Sequence, residues 1–185
     1  TKTLKTLVKI NPAKKNYWQQ LAGVYDVREQ PKQALAIFEL MAHKAMLNSE
    51  AERIQYIQRL IHQNNSFKAA SQLKQYLQTG EVKDSTDNSL LLADAWERSG
   101  ENKKALERLK TLPPEQTLSR LARIYASEQQ WQNLAKVLES QLKPPITTNN
   151  ESLFLQLGYA FNKLEKFDKA IQVFSKLVSA KKISK

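Results

Sequence analysis

Residues 151–174 read Glu151-Ser152-Leu153-Phe154-Leu155-Gln156-Leu157-Gly158-Tyr159-Ala160-Phe161-Asn162-Lys163-Leu164-Glu165-Lys166-Phe167-Asp168-Lys169-Ala170-Ile171-Gln172-Val173-Phe174. Within them Phe154, Leu157, Gly158, Phe161, Phe167, Ala170 and Phe174 are separated by 3, 1, 3, 6, 3 and 4 positions. Steps of three and four keep side chains on one helix face, and the step of six marks a turn between two amphipathic helices. The same ladder runs through Trp18, Leu21, Ala22, Tyr25, Ala34 and Phe38, and through Leu118, Leu121, Ala122, Tyr125, Trp131, Leu134 and Leu138. Weaker copies are Ile54, Ile57, Ile61, Phe67 and Ala70, and Leu92, Ala93, Trp96, Ala105 and Leu109.

Five copies of one hairpin pattern predict an all-α chain, and the composition agrees. Gly and Pro number 4 and 6 of 185 residues, about half the average usage of ~12%, too few for the turns of a many-stranded sandwich. The small residues Ala22, Ala93, Ala122 and Gly158, answered by Ala34, Ala70, Ala105 and Ala170, let the helices of a hairpin approach closely. Large residues between them fill the gap to the next hairpin. The residue closing the first helix falls at Tyr25, Ile61, Trp96, Tyr125 and Phe161, in steps of 36, 35, 29 and 36. Pro113-Pro114 explains the short step, because proline cannot continue a helix; a short helix ending near Leu112 is expected there, with a local change of pitch. Repeat two departs from the pattern with Gln58 at the small position and Lys74 at a large one, and repeat four with Leu134 where Ala is usual.

This ladder resembles the tetratricopeptide repeat, a helix hairpin of about 34 residues. The resemblance implies a right-handed α-solenoid of about five hairpins forming a single array, with repeats at 15–48, 51–84, 86–114, 115–148 and 151–184. Residues 1–14 then read as the end of an earlier repeat, closed by Asn11-Pro12, and the array is expected to begin before Thr1. The helices expected are 2–11, 14–28, 31–45, 49–64, 67–79, 86–99, 102–112, 115–128, 131–143, 150–164 and 167–182. Gly80 and Gly100 stand where left-handed C-terminal caps are needed.

Catalytic chemistry finds no foothold. With no cysteine, disulfides, thiolate chemistry and Cys-ligated zinc are excluded. His43 and His62 sit on different helices without a partner at metal-ligand spacing. Gly23, Gly80, Gly100 and Gly158 are too scattered for a phosphate loop, and no nucleophile elbow occurs. The expectation is a non-enzyme with no cofactor and no metal. No run of apolar residues is long enough for a membrane span, and the first residues do not form a signal peptide.

The net charge of +11 points first to an anionic partner. Its placement decides otherwise: residues 1–15 and 161–185 each carry +5, and the 145 residues between them hold 17 bases against 16 acids. A phosphate-tracking groove needs basic residues repeated along one face, and the three tryptophans fall on the core ladder, so no nucleic-acid partner is expected. The basic ends read as solvated helix ends.

Hairpins of this kind present their first helix on the concave side, exposing positions one and five after the large starter residue. Those positions are Gln19 and Gly23, Gln55 and Arg59, Leu90 and Asp94, Ser119 and Arg123, Leu155 and Tyr159. The candidate partner-binding groove is Gln19, Gln55, Arg59, Arg123 and Tyr159. Arg59 and Arg123 are either a grip for an acidic group or ordinary solvated arginines. The Lys/Asn array by which chaperone-binding repeats hold a terminal carboxylate is absent. Beyond Phe174 and Val178 an apolar surface needs a cover, and self-association is one way to supply it.

Residues 12–180 carry a more particular succession. It comprises Tyr17-Trp18-Gln19-Gln20-Leu21-Ala22-Gly23-Val24-Tyr25, then Leu91-Leu92-Ala93-Asp94-Ala95-Trp96, the compressed repeat ending at Pro113, and Leu121-Ala122-Arg123-Ile124-Tyr125 with Trp131. It resembles the tetratricopeptide component encoded with TonB energy-transduction systems of marine gammaproteobacteria. That resemblance implies a periplasmic adaptor, partnered by TonB, ExbB and ExbD or a segment of them, supporting uptake of siderophore- or haem-bound iron. The alternatives are a scaffold for envelope assembly or polysaccharide export, and an RNA-binding helical array.

Overall fold

The computed structural model of the chain describes the backbone of residues 1–183 and the side chains of residues 1–180. Among the described residues there are eleven α-helices and no strand. They are α1 (Lys2–Ile10), α2 (Lys15–Val27), α3 (Pro31–His43), α4 (Glu50–His62), α5 (Ser66–Thr79), α6 (Thr86–Arg98), α7 (Asn102–Leu109), α8 (Pro114–Ser127), α9 (Trp131–Gln141), α10 (Glu151–Lys163) and α11 (Phe167–Ile183). The all-helical, hairpin-built expectation is met. Two compact units can be distinguished, Thr1–Ala105 and Leu106 onward, with the division inside α7.

Four helix starts have a local cause in the sequence. Pro31 and Pro114 occupy the first turns of α3 and α8, where a missing N–H costs nothing and the fixed φ is already helical. Ser49 and Glu52 form a reciprocal capping box on α4, and Ser85 caps α6 by accepting from the Asn88 N–H at 3.2 Å. Helix α7 has only 8 residues. It stops at Leu109, three residues before the expected end, because the chain tightens there into three-residue bonds from the Thr111 N–H to Arg108 O and from the Leu112 N–H to Leu109 O, each 3.2 Å.

The five hairpin turns share one geometry. In each, one residue takes a left-handed backbone: Glu29 (φ 54°), Asn64 (59°), Gly100 (79°), Gln129 (53°) and Glu165 (59°). The following N–H reaches back across the turn, Gln30 to Tyr25 O (2.9 Å), Asn65 to Leu60 O (2.8 Å), Glu101 to Trp96 O (2.9 Å), Gln130 to Tyr125 O (2.8 Å) and Lys166 to Phe161 O (2.9 Å). With the inner bond from each left-handed residue to the carbonyl three before it, this is the Schellman closure of a helix end. Gly80 caps α5 separately, with φ 74°.

These bonds correct the reading of repeat two by one residue. Leu60, not Ile61, is the counterpart of Tyr25, Trp96, Tyr125 and Phe161. Counting from Leu60 puts Ile57 at the small position instead of Gln58, Ala69 opposite it instead of Ala70, and Leu73 at the large position instead of Lys74. All three are fully buried, so repeat two keeps its ladder except for the bulk of Ile57. The slip has a simple origin, since Leu60 and Ile61 are both apolar and buried and helical periodicity alone does not choose between them.

The core of unit 1 is built by α1 to α6, each packed on the next, around Trp18, Leu21, Phe38, Met41, Ile57, Leu60, Leu73 and Trp96. In unit 2, α8 packs on α9, α9 on α10 and α10 on α11, and α8 also touches α10. Leu134 there fills the usual alanine position and is wholly buried. Gly158 earns its place in the ladder: a Cβ on it would lie 2.5 Å from Cε1 of Phe174.

Candidate functional site

In unit 1, Gln19, Gln55 and Arg59 converge on one pocket of about 240 Å³ between α2 and α4, with Gly23 on its wall and Phe38 and Met41 beneath. Gly23 has no neighbour within 4 Å of where a Cβ would stand, so its bare backbone leaves the pocket open. Polar ties close the pocket at both ends. At one end Glu52 gathers four donors: Lys15 Nζ (2.7 Å), Gln19 Nε2 (2.9 Å), and the N–H groups of Asn48 (2.9 Å) and Ser49 (3.1 Å). At the other, Arg59 donates to both Asp26 oxygens, at 2.7 and 2.6 Å, while its guanidinium lies 4.6 Å from the Phe38 ring centroid. Gln19 and Asp26 are two turns apart on α2, as Glu52 and Arg59 are on α4.

Arg59 therefore fits neither sequence expectation. It is neither a solvated cation nor an open grip, because Asp26 already holds both ends of its fork. The one-residue correction in repeat two explains this. Relative to Leu60, Gln55 and Arg59 sit one position, or about 100° of helix, beyond the expected groove positions, which fall on Ile54 and Gln58. That rotation turns Arg59 toward α2. Gln58 is an exposed residue that sequence reasoning placed elsewhere; counting back from the turn residue Asn64 would have found it.

The electrostatics of this seat are set by pairing. Burial alone would raise the Glu52 carboxyl, but hydrogen bonds from Lys15, Ser49 and Asn48 outweigh it and hold the group below its ordinary 4.5. On a different part of unit 1, burial and the charge of Glu39 push the Tyr56 hydroxyl up to about 12.

The remaining two candidates lie in unit 2. Arg123 is exposed on α8. Tyr159 is exposed on α10, its ring edge-on to the half-buried Trp131 at 5.5 Å between centroids, with Lys163 Nζ 5.3 Å from its centroid. Along α11, Phe167, Ile171, Phe174 and Val178 form an exposed apolar stripe. His43 and His62 are both exposed. Among the described residues no group of acidic or histidine side chains is arranged to hold a metal, and no helix is long and apolar enough to cross a membrane.

A ladder of hairpins closed by identical left-handed turns defines the chain as a tetratricopeptide-repeat fold. Residues 117–148 match the tetratricopeptide repeat family profile directly. Solved structures with the same fold include the MamA protein, with a TM-score of 0.67 and 14% identity over 91% of this chain and 92% of that one. Another is a putative kinesin light chain from Podosopora anserina with nearly identical repeats (0.59; 18% identity; 95% and 98% covered). A third is YrrB, described as a repeat protein with an unusual peptide-binding site (0.58; 15% identity; 96% and 91% covered). No curated protein matches the sequence.

Proposed function

We propose that this chain is a non-catalytic interaction scaffold whose unit 1 seat binds an extended, uncharged stretch of a partner protein. The carrying observation is the internal neutralisation of the seat: Arg59 is spent on Asp26, and Glu52 on Lys15 and Gln19. What remains to meet a ligand is the exposed amide of Gln55, the unpartnered Nε–H of Arg59, the bare backbone at Gly23 and the apolar floor of Phe38 and Met41. Side-chain amides donate and accept at once, which suits the alternating N–H and C=O groups of a peptide backbone. YrrB, a peptide-binding protein of the same fold, supports this reading by analogy of architecture.

For the partner, the resemblance of residues 12–180 to the TonB-associated family supports a periplasmic adaptor contacting TonB, ExbB or ExbD during uptake of siderophore- or haem-bound iron. Within unit 2, Arg123 and Tyr159 are this reading's own candidate partner contacts, taken separately from the seat. A second copy of the chain is the cover this reading assigns to the apolar stripe of α11; Ile171→Glu should then abolish dimers seen in sedimentation, and a protein monomeric at all concentrations contradicts that part.

The test is titration of labelled peptides tiling the periplasmic regions of TonB and ExbD from the same organism. Saturable binding that Gly23→Leu abolishes supports the adaptor. Binding of peptides from unrelated proteins alone would retain the scaffold but remove TonB, and no binding at the seat by any peptide removes both.

A further inference from the structure

We infer that unit 2 holds a second, independent binding site, a trench for a long-chain fatty acid. Its origin is a mismatch of helix lengths. Helix α9 has 11 residues and α11 has 17, so α9 stops while its neighbour continues. The connecting segment fills the rim only partly. It is folded on itself, with the Thr147 N–H donating to Asn150 Oδ1 at 2.7 Å and Asn150 Nδ2 to Pro145 O at 3.1 Å, while Leu142 and Ile146 turn toward the gap.

The resulting cavity is about 650 Å³, within the range of ~300–1,000 Å³ typical of small-molecule sites. Its floor is the core itself: Phe154, Leu157 and Phe161 line it, though they are only 7%, 5% and 3% exposed. Helix α11 contributes Val173 and Ala180 together with the polar Lys169, Gln172, Ser175, Lys176 and Ser179, a wall of three turns, or roughly 16 Å along the axis at 1.5 Å per residue. This wall is about the length of an extended dodecyl chain, with Lys176 about 10 Å from its Lys169 end.

Charge selects the head group. Lys169 is occupied by Glu139, with Nζ 2.7 Å from Oε1, and this pair leaves no net charge. Lys176 lines the same cavity and has no ion-pair partner among the described residues. A trench with an apolar floor, an amide and two hydroxyls on its α11 wall and one unmatched ammonium is complementary to an alkyl chain ending in a carboxylate, the chain on the floor and the carboxylate at the polar wall. This site shares no residue with the unit 1 seat, so it stands or falls apart from the adaptor reading.

The experiment is calorimetric titration of the full chain with dodecanoate and, separately, dodecanol, both below the concentration at which they aggregate. One equivalent of dodecanoate should bind saturably. Lys176→Ala should weaken dodecanoate roughly tenfold, as expected for losing one charge-assisted contact, and leave dodecanol unchanged. Val173→Trp, which fills the trench, should abolish both. Absence of saturable dodecanoate binding to the unaltered protein overturns the site, as does undiminished binding in Val173→Trp. Equal weakening of acid and alcohol by Lys176→Ala overturns the assignment of the head group.

Discussion

Arg59 on α4 grips Asp26 on α2 through two hydrogen bonds of 2.7 and 2.6 Å, joining two successive repeats across 33 positions of sequence. The side chains are 18% and 39% exposed, so solvent screens part of the attraction, and the bidentate geometry retains the rest. A double-mutant cycle between Asp26→Ala and Arg59→Ala should give a coupling of about 1 kcal/mol. Arg59→Ala should be the costlier single change, because it also removes packing over Phe38. Chemical denaturation of the four proteins measures this; additive effects would mean that the pair is not formed in solution.

Gly158 and Phe174 make the opposite kind of contact. A methyl group on Gly158 would meet the Phe174 ring at 2.5 and 2.7 Å. Gly158→Ala should destabilise the protein by about 1 kcal/mol, as overpacking exceeds the gain in helix propensity. In a Phe174→Ala background the same substitution should stabilise by about 0.5–1 kcal/mol. Gly23→Ala, on open helix surface, should stabilise in either background. Melting temperatures of these variants decide it.

The left-handed turn residues predict a second pair of opposite effects. Replacing Glu29, Gln129 or Glu165 with glycine should each stabilise by about 0.5–1 kcal/mol, since their positive φ strains a residue with a Cβ. Gly100→Ala should destabilise by about 1 kcal/mol for the same reason. Urea midpoints at constant slope would report both.

Glu52 makes stability depend on pH. Its carboxyl is held below 4.5 in the folded chain, so the folded state prefers the ionised form. That contribution is complete above the unfolded value and is lost as pH falls through the folded one. Glu52→Gln should cost about 1 kcal/mol at pH 7 and progressively less below pH 4.5. Tyr56 acts at the other extreme. Its folded value near 12 exceeds the ordinary 10.0, so its contribution is complete below 10 and disappears toward 12; Tyr56→Phe should flatten the alkaline limb. Thermal melts across pH 3–11 measure the first effect and the onset of the second.

The hairpin ladder was legible in the sequence because large and small residues must alternate at helical spacing wherever two helices pack. Pro113-Pro114 likewise announced the short α7. Periodicity alone placed repeat two only to within one residue, since Leu60 and Ile61 are both apolar; the turn bond to Leu60 O resolves it, and Asn64, a residue type that tolerates left-handed backbone, was the sign of it in the sequence. Three of the five turn residues, Glu29, Gln129 and Glu165, are neither glycine nor asparagine, so composition gave no sign of their left-handed backbone. The pairing of Arg59 with Asp26 was invisible for a different reason. It depends on which way α4 is rotated against α2, and one residue of register, about 100°, turns a groove residue into a contact between repeats.

The central claim is that the seat at Gly23 and Gln55 binds an uncharged peptide, with its own ion pairs already satisfied. The most direct measurement is the affinity of a bound periplasmic peptide for the unaltered protein and for Gly23→Leu, each at low and at high salt. The account predicts saturable binding that changes little with salt and is lost in Gly23→Leu while the fold persists by circular dichroism. Binding that collapses as salt rises, or that is indifferent to Gly23→Leu, would contradict it.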